Sequence, residues 1–187
     1  MTIKELTLQE VRNIYHRRMV DDFPGNELKP LIVIERAIGK GIYRCFGLED
    51  ADELLAYAFF VYLPENGEEY YLLAYYAVDR EHRGKGIGSR FLKMLCENQL
   101  KDADCVILEV DDPACAAEDR EIRERRLHFY LRNGMTDTGE RAATFGADFI
   151  ILRMPVGKTD ADFREIYQSI YRTMVPEKIL NAMVRMK

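Results

Sequence analysis

Serine is almost absent from this 187-residue chain. Only Ser89 and Ser169 occur, and neither stands in the turn that a serine nucleophile needs. Histidine is scarce as well: His16, His82 and His128 are scattered with no metal-ligand spacing. The four cysteines (Cys45, Cys96, Cys105, Cys115) form no C-x-x-C pair, so neither a zinc site nor a disulfide framework is supported. No apolar run approaches the ~20 residues of a membrane span, and no signal peptide is seen at the N-terminus. Reduced thiols, a cytoplasmic location and no membrane partner are therefore expected. There is no basic excess either. Lys and Arg number 27 against 32 Asp and Glu, a net charge of −5 that argues against a nucleic-acid-binding face and suits a cationic substrate only weakly. Repeats and low-complexity tracts are missing, and the length fits one domain.

What is present is a clear alternation of periods. Residues 2–6 read as a short strand. Thr7 with Glu10 three residues on is a capping box, and Leu8, Val11, Ile14, Tyr15 and Met19 follow at helical spacing to about Val20. The stretch 21–25 breaks that helix, and 27–38 predicts a second one stopped at Gly39. Strands follow at 42–48, 53–63 and 69–78, with turns at 49–52 and 64–68. After a glycine-rich loop come a helix to about Leu100, a strand at 104–110, a helix from about Ala117 to Arg132, and a hairpin of 135–145 with 147–154 around Gly146. The last part, from 160, reads as a helix to about Met174 and a shorter one after Pro176. The class is α/β (α+β): a mixed, mostly antiparallel central sheet with helices on both faces.

The loop is the informative stretch. An apolar strand ends at Val78, a charged turn follows, and Gly84, Gly86 and Gly88 lead into a helix. Helix-start amides lack intrahelical partners and carry partial positive charge, and glycines let a phosphate approach the backbone closely. The pattern is not a dinucleotide fingerprint, because the last glycine position, counted from Gly84, is Ser89. It is not a Walker loop either. The bare alternative is a strand-to-helix turn with no ligand.

What does fit is Arg/Gln-x-x-Gly-x-Gly/Ala, as Arg83, Gly86 and Gly88, with Val78 upstream. This resembles the acyl-CoA pyrophosphate loop of the GNAT superfamily of N-acetyltransferases, and the element order over about residues 1–155 is similar too. The resemblance implies a domain over 1–157, with 158–187 as a helical extension packed on it, read either as a dimer contact or as a cover for the core. It implies acetyl-CoA as co-substrate, with no metal. Tyr76, Ala77 and Val78 would hold the pantetheine. Arg83, Gly84, Lys85, Gly86, Ile87, Gly88 and Ser89 would hold the phosphates, with charge added by Arg83 and Lys85.

Two side chains are then singled out for chemistry. His128-Phe129-Tyr130 followed by Gly134-Met135 matches the family segment whose tyrosine protonates the departing thiolate, which makes Tyr130 the general acid. Packing of a helix on a sheet is its structural alternative. Leu108-Glu109-Val110 resembles the Leu-Glu-Val whose glutamate takes the amine proton, although Glu109 equally suits orienting a neighbour or pairing an arginine. Glu68, Glu69 and Asp79 are the fallbacks. Where relatives place an Asn for the pantetheine, this chain has Asp111-Asp112-Pro113 and a longer link to Tyr130. The arginines of 120–126 read as a self-paired helix face or as an anion grip. The implied activity is acetyl transfer to a small-molecule or peptide amine by direct attack in a ternary complex. The alternative is a catalytically silent acyl-CoA-binding module on the same fold.

Overall fold

The first helix starts where Thr7 closes the first strand. In the computed structural model, which describes residues 1–25, 27–115 and 119–187, Thr7 Oγ1 accepts the Glu10 amide at 3.3 Å and the Glu10 carboxylate accepts the Thr7 amide at 2.7 Å. The capping box thus satisfies two donors that a helix start leaves over. Strand β1 (Thr2–Glu5) precedes it. Helix α1 runs through Leu8–Ile14, a π turn at Tyr15–Met19 and a last turn at Val20–Asp22.

Lys4 Nζ lies 2.6 Å from Glu10, and this contact, ahead of those from Thr7, holds the Glu10 carboxyl down at about 2. A carboxylate lowered by folding stabilises the fold above its ordinary 4.5, and that contribution is lost as pH falls from there toward 2. Thr7→Ala is expected to cost about 1 kcal/mol in denaturant unfolding at neutral pH. The difference from the parent protein should narrow as pH drops through that window.

Helix α2 (Leu31–Gly39) begins later than the expected Glu27. Pro30 is the reason: Lys29, the residue before a proline, is pushed out of the helical region. The amides of Glu27 and Leu28 instead turn back to the Pro24 carbonyl. Tyr75 Oη accepts the Lys29 amide and donates to the Glu27 carbonyl.

The remaining elements are β2 (Tyr43–Asp50), β3 (Glu53–Glu65), β4 (Glu68–Val78), α3 (Ile87–Met94, continued by a π turn at Leu95–Gln99), β5 (Cys105–Asp111), α4 (Arg120–Arg132), β6 (Thr136–Thr144), β7 (Ala147–Gly157), α5 (Phe163–Met174), α6 (Glu177–Met183) and β8 (Val184–Met186). The expected start of α4 near Ala117 lies outside the described residues. The eight strands form one mixed sheet in the order β1-β2-β3-β4-β5-β7-β6-β8. Pairing is antiparallel at β1–β2, β2–β3, β5–β7, β6–β7 and β6–β8, and parallel at β4–β5. Three two-residue hairpin turns place both central residues at positive φ: Ala51 and Asp52, Asn66 and Gly67, Phe145 and Gly146. Such turns match the twist of the strands they join.

By contacts the chain forms two compact units. Residues 1–62 and 74–91 make the first, whose core includes Val11, Ile14, Ile34, Phe46 and the unbroken buried run Leu55–Val61 of β3. Residues 63–73 and 92–187 make the second, built on Leu72, Val106, Leu108, Ile151, Leu152, Tyr167 and Ile170. The sequence predicts helix alone for the last segment, but β8 adds a strand there, pairing Val184–Met186 with Ala142–Thr144 of β6. Three residues are too few for alternation to show.

Candidate functional site

In the first unit, the loop after β4 is shaped from its own side chains. Asp79 caps a short 3₁₀ turn, Arg80–His82, by accepting the Glu81 amide. Gly84 and Gly86 then take φ of 76° and 78°, a region that favours glycine, and α3 begins at Ile87. Ile87 and Phe91, one turn apart, are buried and anchor the helix. Among the described residues, no hydrogen bond of ordinary geometry runs from the amides of Gly84 to Ser89 to a protein acceptor, although Arg83–Gly86 form a weakly bonded turn, and the first return bond of the helix runs from Arg90 to the Gly86 carbonyl. Nothing lies within 4 Å of where a Cβ would sit on Gly84 or Gly86. A row of unsatisfied donors at a helix start with open space before it fits an anionic diphosphate.

Two side chains hold this geometry. Tyr76 donates to the Gly88 carbonyl at 2.6 Å and stacks on Phe91 with ring centroids 5.6 Å apart. Arg83 bonds the Val78 carbonyl at 3.0 Å through Nε and Asp22 at 2.7 Å through Nη2, so its guanidinium braces the loop from α1. Asp22 is largely buried and also accepts from Tyr57 Oη, whose phenol is pushed well above its usual range by burial and then by the Asp22 charge. Lys85 is exposed and pairs with no carboxylate among the described residues, which leaves its ammonium for an anion. Val78 and Ala77 end β4. The ladder from β4 to β5 pairs Tyr70–Leu73 with Cys105–Leu108.

In the second unit, Glu109 sits half-buried on β5 and its Oε1 accepts from Tyr167 Oη at 2.5 Å and Tyr171 Oη at 2.8 Å. Tyr130, on the last turns of α4, is 7% exposed. Burial pushes its phenol up to about 12, opposed by the Arg126 charge and aided by Asp111. It therefore stays protonated across the working range, the form that donates to a departing anion. Three α4 arginines meet carboxylates: Arg120 pairs with Glu124 of the same helix at 2.8 Å, Arg123 with Asp119 just before it at 2.9 Å, and Arg126 with Asp111 of β5 at 2.6 Å. No group of three or more His, Cys, Asp or Glu among the described residues is placed to hold a metal ion.

The model of the acetyltransferase (GNAT) family matches residues 8–135. This chain belongs to the GNAT acetyltransferase family. Solved structures agree on the fold. A GNAT-family protein from Bacteroides thetaiotaomicron superposes with a TM-score of 0.67 at 23% identity, covering 92% of this chain and 95% of that one. The ribosomal-protein-S18-alanine N-acetyltransferase from Escherichia coli gives 0.58 at 19%, with 87% and 97% covered. An aminoglycoside 6′-N-acetyltransferase complexed with coenzyme A gives 0.58 at 15%, with 82% and 96% covered. A search of curated proteins finds no match in sequence.

Within this GNAT chain, sequence reasoning missed the residues that support the motifs: Asp22 behind Arg83, and Tyr167 and Tyr171 on Glu109. Tyr167 and Tyr171 do stand at helical i, i+4 spacing, but that spacing names a shared face and not a partner.

Proposed function

We propose that the protein transfers an acetyl group from acetyl-CoA, its co-substrate, to a primary amine by direct attack in a ternary complex. The row of unsatisfied amides from Gly84 to Ser89, with Lys85 beside it, carries this reading, because it suits the diphosphate of coenzyme A. Arg83 would act there chiefly as the brace of that loop. The backbone of Tyr76, Ala77 and Val78 is assigned to the pantetheine arm by the family resemblance. Residues 158–187 are proposed to belong to the same catalytic domain, because they all fall in the unit that contains Glu109.

The proposed step balances as follows. The amine nitrogen attacks the thioester carbonyl and its surplus proton passes to the Glu109 carboxylate. The C–N bond forms, the C–S bond breaks, and the thiolate takes the Tyr130 proton. Two of the proteins of similar fold named above suggest first acceptors to try, and a polyamine adds a third class of amine. Thiol release from acetyl-CoA should be followed with an aminoglycoside, a polyamine and an alanine-terminated peptide. Amine-dependent thiol release, with the acetylated amine seen by mass spectrometry, supports the reading. Tight acetyl-CoA binding with no turnover on a wide amine panel would favour a silent binding module instead.

A further inference from the structure

Helix α5 reaches the carboxylate assigned above as the base. Tyr167 and Tyr171 lie one turn apart, 0% and 4% exposed, with ring centroids 4.8 Å apart. Both phenols donate to one oxygen, Glu109 Oε1. Tyr167 Oη also lies 2.5 Å from Thr144 Oγ1 on β6. A phenol has one proton. Since Tyr167 gives its proton to the carboxylate, the threonine hydroxyl must be the donor in the other contact. With Glu109 ionised, Thr144 donates to Tyr167, and Tyr167 and Tyr171 donate to Glu109, while the two phenols also interact with each other. Burial, and then the Glu109 charge, push both phenols far above their usual range, so neither ionises beside the carboxylate.

We propose that Tyr167 and Tyr171 are positioning residues for Glu109, so that a helix beyond the stretch matched by the family model completes the proton-accepting site. The proposal rests on the reading of Glu109 as the base. A glutamate on a long, rotatable stem is held in one rotamer when two donors from one rigid, buried helix converge on the same oxygen. Donors to a carboxylate also favour its charged form, the form that can accept a proton from an amine. The groups facing Glu109 include these two phenols from α5 and, behind Tyr167, the Thr144 hydroxyl of β6. β7 places Ile151 opposite. On its own strand the next charged residue is Asp111, paired with Arg126 of α4.

The test uses the full chain with Tyr167→Phe, Tyr171→Phe, the double variant and Glu109→Gln, each checked by thermal unfolding. Infrared difference titration reads the Glu109 carboxyl band, assigned by its loss in Glu109→Gln, and needs no acceptor. Each single phenylalanine is expected to raise the protonation midpoint by about one pH unit, and the pair by more. The acidic limb of kcat/KM for the most active amine of the panel should move up with it. The KM for acetyl-CoA should stay unchanged. If the phenols merely fasten the helix, the variants lose stability while midpoint and limb stay in place, and the proposal is overturned. If instead Glu109→Gln keeps parental activity while the midpoint still moves, the base assignment has failed and the hydrogen bonding has not.

Discussion

Gly86→Glu is expected to leave the protein folded and to weaken acetyl-CoA binding by ~100-fold or more. The backbone there has φ of 78°, and a side chain in that region costs about 1–2 kcal/mol. The space around the new Cβ is open, so packing adds nothing to that cost. What the variant does change is the anion site. A carboxylate grown from Gly86 reaches the amides that the diphosphate needs and repels its charge. Charge-assisted hydrogen bonds are worth about 1.5–3 kcal/mol each. The loss of two therefore corresponds to ~10²–10⁴ in affinity. Gly86→Ala separates the causes, since it has the same backbone strain without the charge. Titration calorimetry on both variants should show a small effect for alanine and a large one for glutamate.

Tyr130→Phe is expected to lower kcat by ~10²–10⁴ while the affinity for acetyl-CoA stays within about twofold. The ring is buried, and phenylalanine fills the same volume, so the fold keeps its packing and loses only the hydroxyl. A phenol that burial holds protonated up to about 12 is a weaker acid than a thiol, so it remains the hydrogen-bond donor as charge develops beside it. It stabilises the thiolate leaving the thioester first through that bond, and the proton follows as the thiol departs. Without the hydroxyl, the thiolate departs unprotonated and the barrier rises in the chemical step alone. The readout is the split: kcat falls and binding does not. Equal loss in both would mean that Tyr130 shapes the site and does not act on the leaving group.

Features carried by neighbours in sequence were the ones most open to reading. The Thr7–Glu10 box is legible because both partners lie within one turn, and the structure forms both of its bonds. The Arg83–Gly88 loop is legible because its chemistry is consecutive backbone. The turns at Asn66-Gly67 and Gly146 announce themselves by residues that tolerate positive φ. Contacts across long separations were not legible. Arg83 meets Asp22 from 61 residues away, and Tyr167 meets Glu109 from 58. Neither is written in any local pattern. The π turns at Tyr15–Met19 and Leu95–Gln99 keep helical spacing and so read as plain helix. The apolar periodicity on both sides of Pro30 masks its effect, which is to delay the start of α2 to Leu31.

The most direct test of the central claim is the response of the backbone amides themselves. Isotope-labelled protein titrated with acetyl-CoA should show saturable shifts of the Gly84–Ser89 amide resonances at micromolar concentrations, and Gly86→Glu should remove them. Saturable binding that leaves these six amides unmoved, or no binding at all in well-folded protein, would contradict the account.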